Sequence, residues 1–267
     1  MDYILNSFDI YLFTPYFYPK SWDQNWCLRQ FISLLIIVNI FGYLMYLTTA
    51  TISFYTLFDR QLLKHPKLLP NQVRREILLS LKSMPLMSIP TCLLFLTQIR
   101  GHSRLYDQIH QYGIGYFITS TLSFLLFTDC CIYFIHRILH WPNIYKHLHK
   151  SHHQWIIPTP FASHAFHPID GFLQSSPYHL FVILFPLHKI LYLILFTFVN
   201  LWTVLIHDGN DMIKSSVWQK IINGSAHHTD HHLFFNYNYG QFFTLWDWLC
   251  GSHRIPSMNQ KNIDKMN

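Results

Sequence analysis

The chain has 267 residues, 51% of them hydrophobic, 12% charged, and a formal net charge of +6. Soluble domains average about 25% charged residues, so this composition excludes an ordinary water-facing surface and points to a chain set in lipid. The basic residues are not interleaved into a polar binding face, which argues against nucleic acid and for anionic lipid headgroups.

In chain order, residues 1–30 are aromatic-rich, contain Pro15 and Pro19, and are expected to lie on the membrane surface. No basic residues precede their apolar ones, so they do not read as a secretory signal. Phe31 to Phe58 carries no charge and is the clearest span, since a crossing helix needs about 20 apolar residues. Residues 59–82 are basic, with Arg60, Lys64, Lys67, Arg74, Arg75 and Lys82 against Asp59 and Glu76. A second span is expected from Ile77 to Ile99, interrupted by Pro85 and Pro90, and a third from Gly115 to Ile135, which holds the carboxylate of Asp129. A polar histidine-rich stretch follows at 136–170, then an apolar run from Phe172 to Ile206, then a second histidine-rich stretch at 207–253.

Parity constrains the run 172–206. If both histidine-rich stretches build one site they share a side of the bilayer, so the run crosses twice or not at all, and Pro186 near its middle favours a hairpin or a helix pair dipping in and out. Counting back places the basic loop 59–82 on that same side, which the positive-inside rule makes cytosolic. No repeat, low-complexity segment or linker divides the chain. It reads as one all-α domain over 1–267, a polytopic membrane helical bundle of about four spans. A cytosolic helical cap carries the histidine motifs, over about 120–253. The five cysteines are odd in number and form no CxxC, so they read as reduced packing residues. The C-terminus has no retention-type or prenylation-type ending, and the tail past Asp247 is short, so no regulation by a long polar tail is expected.

Of 19 histidines, 15 fall between His136 and His232. His136 and His140 form HxxxH; His149, His152 and His153 form HxxHH; His228, His231 and His232 form HxxHH again. On a helix, positions i, i+3 and i+4 share a face, so each motif presents its imidazoles together. Imidazole suits Fe, Zn, Cu and Ni, and a structural zinc site needs only four ligands, so eight argue for two ions. His65, His102 and His110 stand alone and read as packing residues. A zinc hydrolase commonly brings a glutamate base, as in HExxH, and that motif is absent. An all-histidine pair of sites at a membrane suits iron and oxygen activation on chemical grounds.

The three motifs following hydrophobic spans resemble the fatty acid hydroxylase/sterol desaturase superfamily. Within it, HKSHHQWIIPTPFASHAFHPIDGFLQSSPYH (149–179), NGSAHHTDHH (223–232), YNYGQFFTLWD (237–247), NQVRREI (71–77) and LFTDCCIYFIHR (126–137) are similar to the sterol 5-desaturases, and the resemblance covers nearly the whole chain. Trp141-Pro142 stands where a further His or a basic residue is expected, and Ser151 where a Pro often lies; neither is a motif histidine. The resemblance implies an endoplasmic reticulum enzyme facing the cytosol. It implies two iron ions, O2 as co-substrate, and electrons from NADH through cytochrome b5 reductase and cytochrome b5. The reaction it implies is introduction of the 5(6) double bond into a Δ7-sterol.

The eight motif histidines are the expected ligands, with His207 a ninth; its alternative is a hydrogen-bond donor behind the ligands. His167 is a further candidate, His164 a weaker one, and His227 is expected to face solvent. Asp129, seven residues before His136, is expected to fix the tautomer of a ligand histidine, with a salt bridge to a nearby basic residue as the alternative. Asp208 and Asp230 are expected in the same orienting role. The sterol pocket should be mostly apolar, with the aromatics of 172–179 and 232–243 as candidates. Arg74, Arg75, Lys146 and Lys150 would dock acidic cytochrome b5 or lipid headgroups. The rival readings are a superfamily member that hydroxylates a sterol methyl group or an alkyl lipid, a non-catalytic metal- or lipid-binding relative, and a zinc hydrolase.

Overall fold

A computed structural model describes residues 1–210 and 217–256. Most of the expectation about the tail past Asp247 lies outside them. We number the six longest helices among these residues α1 Cys27–Thr56, α2 Gln72–Ile99, α3 Gly113–Leu139, α4 Pro168–Leu184, α5 Lys189–Ile206 and α6 Ser225–Phe234. The protein is almost entirely helical, and α1, α2, α3 and α5 are each long and apolar enough to cross a membrane.

These four helices carry the expected spans with shifted ends. α2 begins at Gln72, before the apolar run, because Gln72 and Glu76 are buried against the loop 157–161. Pro85 and Pro90 do not interrupt it. The Leu81 carbonyl that Pro85 leaves without its helical donor is taken by the Tyr43 hydroxyl of α1 at 3.0 Å. α3 continues past Ile135, so that His136 lies on its last turn and His140 caps it. Large apolar side chains such as Ile40, Leu44, Ile52, Ile118 and Leu122 point outward, as a lipid-facing bundle requires.

The run 172–206 is a hairpin. α4 starts beside His149, through Asp170, and ends at Leu184. Leu187 and His188 then pair in parallel with Leu105 and Tyr106 at the opposite end of the bundle, and α5 returns to the histidines. The turn falls around Pro186, whose carbonyl accepts from the Tyr116 hydroxyl at 2.9 Å. At 17 residues and about 1.5 Å per residue, α4 is the shorter arm.

The N-terminal stretch leaves Tyr11, Tyr16 and Phe17 exposed and is anchored by two side chains. Leu5 and Phe13 are buried in the main core with Leu34, Phe95, Phe124 and Tyr192. Arg29, at the start of α1, is buried and reaches back to Asp9 at 2.8 Å, an ion pair that makes the Arg tolerable there.

Candidate metal centre

Four segments deliver histidines to one end of the bundle. The last turn of α3 brings His136 and His140. A π turn, Tyr145–His149, runs into the short helix Lys150–His153 and brings His149, His152 and His153. The end of α5 brings His207, its C-cap residue. α6 brings His228, His231 and His232, and every residue from Ser225 to His232 is buried. A helix reading SAHHTDHH has no apolar reason to be buried, so its polar face must meet partners inside.

Those partners are other imidazoles. His136, His140, His149, His153 and His231 form one group and His152, His207, His228 and His232 a second; within each, one ring nitrogen per residue lies within 4.8 Å of all the others. The Nε2 atoms of His136 and His149 are 3.1 Å apart, those of His153 and His231 3.1 Å, of His207 and His228 3.0 Å, and of His228 and His232 3.2 Å. Nitrogens bound at right angles around one ion at about 2.1 Å would stand about 3 Å apart, so these separations suit shared coordination. His140 Nε2 is buried with no hydrogen-bond partner among the described residues, a lone pair aimed where an ion would satisfy it.

The outer nitrogens are held from behind. His149 Nδ1 donates to Asp170 Oδ2 at 2.7 Å, His136 Nδ1 to the Tyr239 carbonyl at 3.0 Å, His207 Nδ1 to the Thr203 carbonyl at 2.7 Å and His231 Nδ1 to the Tyr237 carbonyl at 2.6 Å. Such bonds fix the tautomer that leaves Nε2 free as a ligand. Burial, then the facing imidazoles, hold His152, His153, His228 and His231 well below the usual value of 6.5, and burial brings His207 down to about 4. These rings are therefore neutral near pH 7, the form that binds a metal.

The sequence comparisons now decide the family. The fatty acid hydroxylase family matches residues 121–252. The lathosterol oxidase of Homo sapiens is 56% identical over 259 residues, 96% of this chain and 86% of that protein. The lathosterol oxidase of Rattus norvegicus is 54% identical over the same shares. The Delta(7)-sterol 5(6)-desaturase of Saccharomyces cerevisiae is 52% identical over 231 residues, 86% of this chain and 62% of that protein.

The chain belongs to the fatty acid hydroxylase family.

No solved structure matches this family member. Other residues named from its sequence take different places. His167 stands outside both histidine groups; it caps α4, with Nδ1 accepting from the Ile169 N–H at 3.3 Å. His164 is also outside them, buried between Ser163 and Asn200. His227 does not face solvent: it is 1% exposed, and burial lowers it to about 4. His102, in a loop, and His110, in the short 3-10 helix Ile109–Gln111, are exposed rather than packing residues.

Asp129 does not touch a histidine. It accepts backbone N–H groups from Gln241 at 2.8 Å, Phe242 at 2.7 Å and Phe243 at 3.3 Å. Seven residues of helix put it about 10 Å below His136, level with that loop rather than with the imidazoles. Asp247 holds the same loop from the other side, accepting from the Tyr239 and Gly240 N–H groups, each at 2.9 Å. The two carboxylates thereby place the Tyr239 carbonyl on His136. Asp208 accepts from the Asn210 N–H at 2.8 Å, and Asp230 pairs with Arg254 at 3.3 Å. The carboxylate behind His149 is Asp170, which sequence reasoning missed. Its one signal is that no other acidic residue occurs between Asp129 and Asp208. Glu76 was missed as well; it accepts from Gln72 Nε2 at 2.7 Å and from the Thr159 hydroxyl, fixing the loop that leads into His164.

Beside the histidines, between the helices, lies a cavity of about 410 Å³. Most of its wall is apolar, including Ile37, Phe41, Phe95 and Phe196, while Phe166 lines it and packs on His152 with ring centres 4.5 Å apart. Of the expected aromatics only Tyr178 lines it; 172–179 and 232–243 otherwise contribute Gln174, Ser175 and Gln241. Arg74, Arg75, Lys146 and Lys150 are exposed.

Proposed function

We propose that this protein is an oxidoreductase that introduces the 5(6) double bond into a Δ7-sterol, converting a lathosterol-type substrate to the 5,7-diene. The observation that carries the reading is the gathering of eight buried histidines and the half-buried His140, in two groups, beside an apolar cavity of sterol size, in a chain 52–56% identical to lathosterol oxidases and a Δ7-sterol 5(6)-desaturase. Two iron ions fit the donor set. The five-histidine group would hold one and the four-histidine group the other, with Nε2 as the donor wherever Nδ1 is bonded behind. Bound iron with O2 supplies an oxidant strong enough for an unactivated C–H bond.

The chain's own residues do the rest. Asp170, Tyr239, Thr203 and Tyr237 orient the imidazoles, and Phe166 packs the cavity wall onto His152. The apolar wall holds the flat hydrocarbon and excludes water. The sterol loses one hydrogen from C5 and one from C6. O2 takes these together with two electrons and two protons, the electrons arriving from NADH through cytochrome b5 and its reductase, and two waters leave. The exposed Arg74, Arg75, Lys146 and Lys150 would steer an acidic electron donor. A multi-pass protein acting on sterols in this way belongs in the endoplasmic reticulum membrane, with its histidines on the cytosolic side. The basic loop 59–82 supports that orientation.

The test is sterol analysis in cells lacking their own sterol 5-desaturase, expressing the chain intact or as His152→Ala. Diene from the intact chain alone is the expected result. A membrane-inserted, iron-loaded protein that yields no diene would sink the reading and turn attention to hydroxylated sterols and lipids.

A further inference from the structure

The cavity is unequal at its two ends. Met1, Ile4 and Ile37 line the end remote from the histidines, where Lys189 at the foot of α5 pairs with Asp2 at 2.7 Å. Polar groups gather at the other end, where Asn200 Oδ1 already faces His164 Nε2 at 3.4 Å and two further carboxamides, Gln174 and Gln241, line the wall. Each of these two is tied to a group that holds a histidine. Gln174 Nε2 donates to Asp170 Oδ1 at 2.7 Å, and Asp170 Oδ2 receives His149 Nδ1. Gln241 Nε2 donates to Thr203 Oγ1 at 3.0 Å, and the Thr203 carbonyl receives His207 Nδ1.

The two amides differ in what fixes them. Asp170 is fully buried and, ionised, can only accept, so the Gln174 nitrogen must face it. The Gln174 oxygen is then held away from the carboxylate, on a residue of the cavity wall, and no described residue donates to it. The Thr203 hydroxyl gives its one proton to the Val199 carbonyl at 2.9 Å and accepts from Gln241, so that amide has the same sense but is held by a neutral group, more weakly than by a carboxylate. Gln174 therefore offers the cavity an acceptor of fixed sense, two hydrogen bonds from a metal-binding imidazole.

Substrate chemistry says what that acceptor meets. This step rests on the sterol reading above. In a sterol the ring-A hydroxyl is on C3, two bonds from C5, so bringing C5 and C6 to the histidines brings the hydroxyl to the same end. Gln174 is half-buried, and an acceptor facing an apolar cavity without a donor is relieved by a hydroxyl placed there. We infer that Gln174 Oε1 accepts the 3-hydroxyl proton of the sterol and is the residue that selects a hydroxylated substrate bound ring A first.

The test compares a Δ7-sterol with the same sterol lacking its 3-hydroxyl, on the full chain in lipid nanodiscs. Equilibrium binding is read on the metal-free protein and kcat/KM on the iron-loaded one. The intact chain should prefer the hydroxylated sterol by ~10-fold or more, the scale of one buried hydrogen bond. Gln174→Leu and Gln174→Met should bring the two sterols within about twofold while leaving affinity for the deoxy sterol unchanged. Gln241→Leu should keep the preference. Equal weakening of both sterols, no change in either, or loss of the preference in Gln241→Leu alone would each overturn the assignment. The binding measurement stands even where a Gln174 variant loads iron poorly. Preferential binding without diene would sink the desaturase reading and leave the hydroxyl contact standing; diene without preference would do the reverse.

Discussion

Asp170 Oδ2 and His149 Nδ1 lie 2.7 Å apart, and neither side chain is exposed at all. The carboxylate comes from the first turn of α4 and the imidazole from the π turn after α3, so the pair joins the membrane hairpin to the histidine end. A buried carboxylate behind a ligand imidazole raises its basicity and fixes its tautomer.

Asp170→Asn is expected to lower iron occupancy or turnover by roughly 10- to 100-fold, as the loss of such a partner commonly does. Metal analysis of the purified protein beside sterol turnover checks it. Full iron content and full turnover in the variant would remove Asp170 from the site.

His207 and His167 give a paired prediction. His207→Ala should lose metal and turnover as completely as His152→Ala, because its Nε2 is 3.0 Å from that of His228. His167→Ala should keep the metal and lose only a helix cap, about 1 kcal/mol, read as a small fall in Tm. Metal retained in the first variant or lost in the second would reverse the assignment.

Gly240→Ala should destabilise the fold by about 2 kcal/mol or more and weaken the metal site together. A Cβ at Gly240 would overlap the Phe243 carbonyl oxygen and meet Asp247 Oδ2 at 3.1 Å, and the backbone oxygen cannot step aside cheaply. The loop it would displace carries the Tyr239 carbonyl that holds His136. Thermal unfolding in detergent and iron content should fall in step; a normal Tm would show that the loop tolerates the shift.

Chelation should lower Tm sharply, by more than it does in a His152→Ala, His207→Ala double variant. Ions that bind only the folded chain stabilise it by mass action, and without them the facing Nε2 lone pairs are left in a buried space. Equal Tm with and without chelator in the intact protein would argue against a resident metal.

The parts of this molecule that follow from spacing along the chain were legible in it. The HxxxH and HxxHH motifs and His207 come together because their periods and their places at the ends of apolar runs are local properties. The hairpin followed from parity and from Pro186, which cannot sit inside a long membrane helix without a partner for the freed carbonyl. The prolines of α2 misled the same rule, because Tyr43, on another helix, meets the Leu81 carbonyl. Long-range pairing is what the sequence hides. Asp129 had the right face and the wrong height. Asp170 and Glu76 act on residues 21 and 83 positions away, separations that no local period encodes.

The histidines enter the bundle on four successive segments, and three of the nine ride on α6, the last of the six helices. No ribosome-bound chain that stops short of α6 can possess a finished binding site. Metal binding would then come only after α6 has been made, on the cytosolic side proposed for the histidines. A chain cut before α6 would keep six of the nine imidazoles and neither group complete.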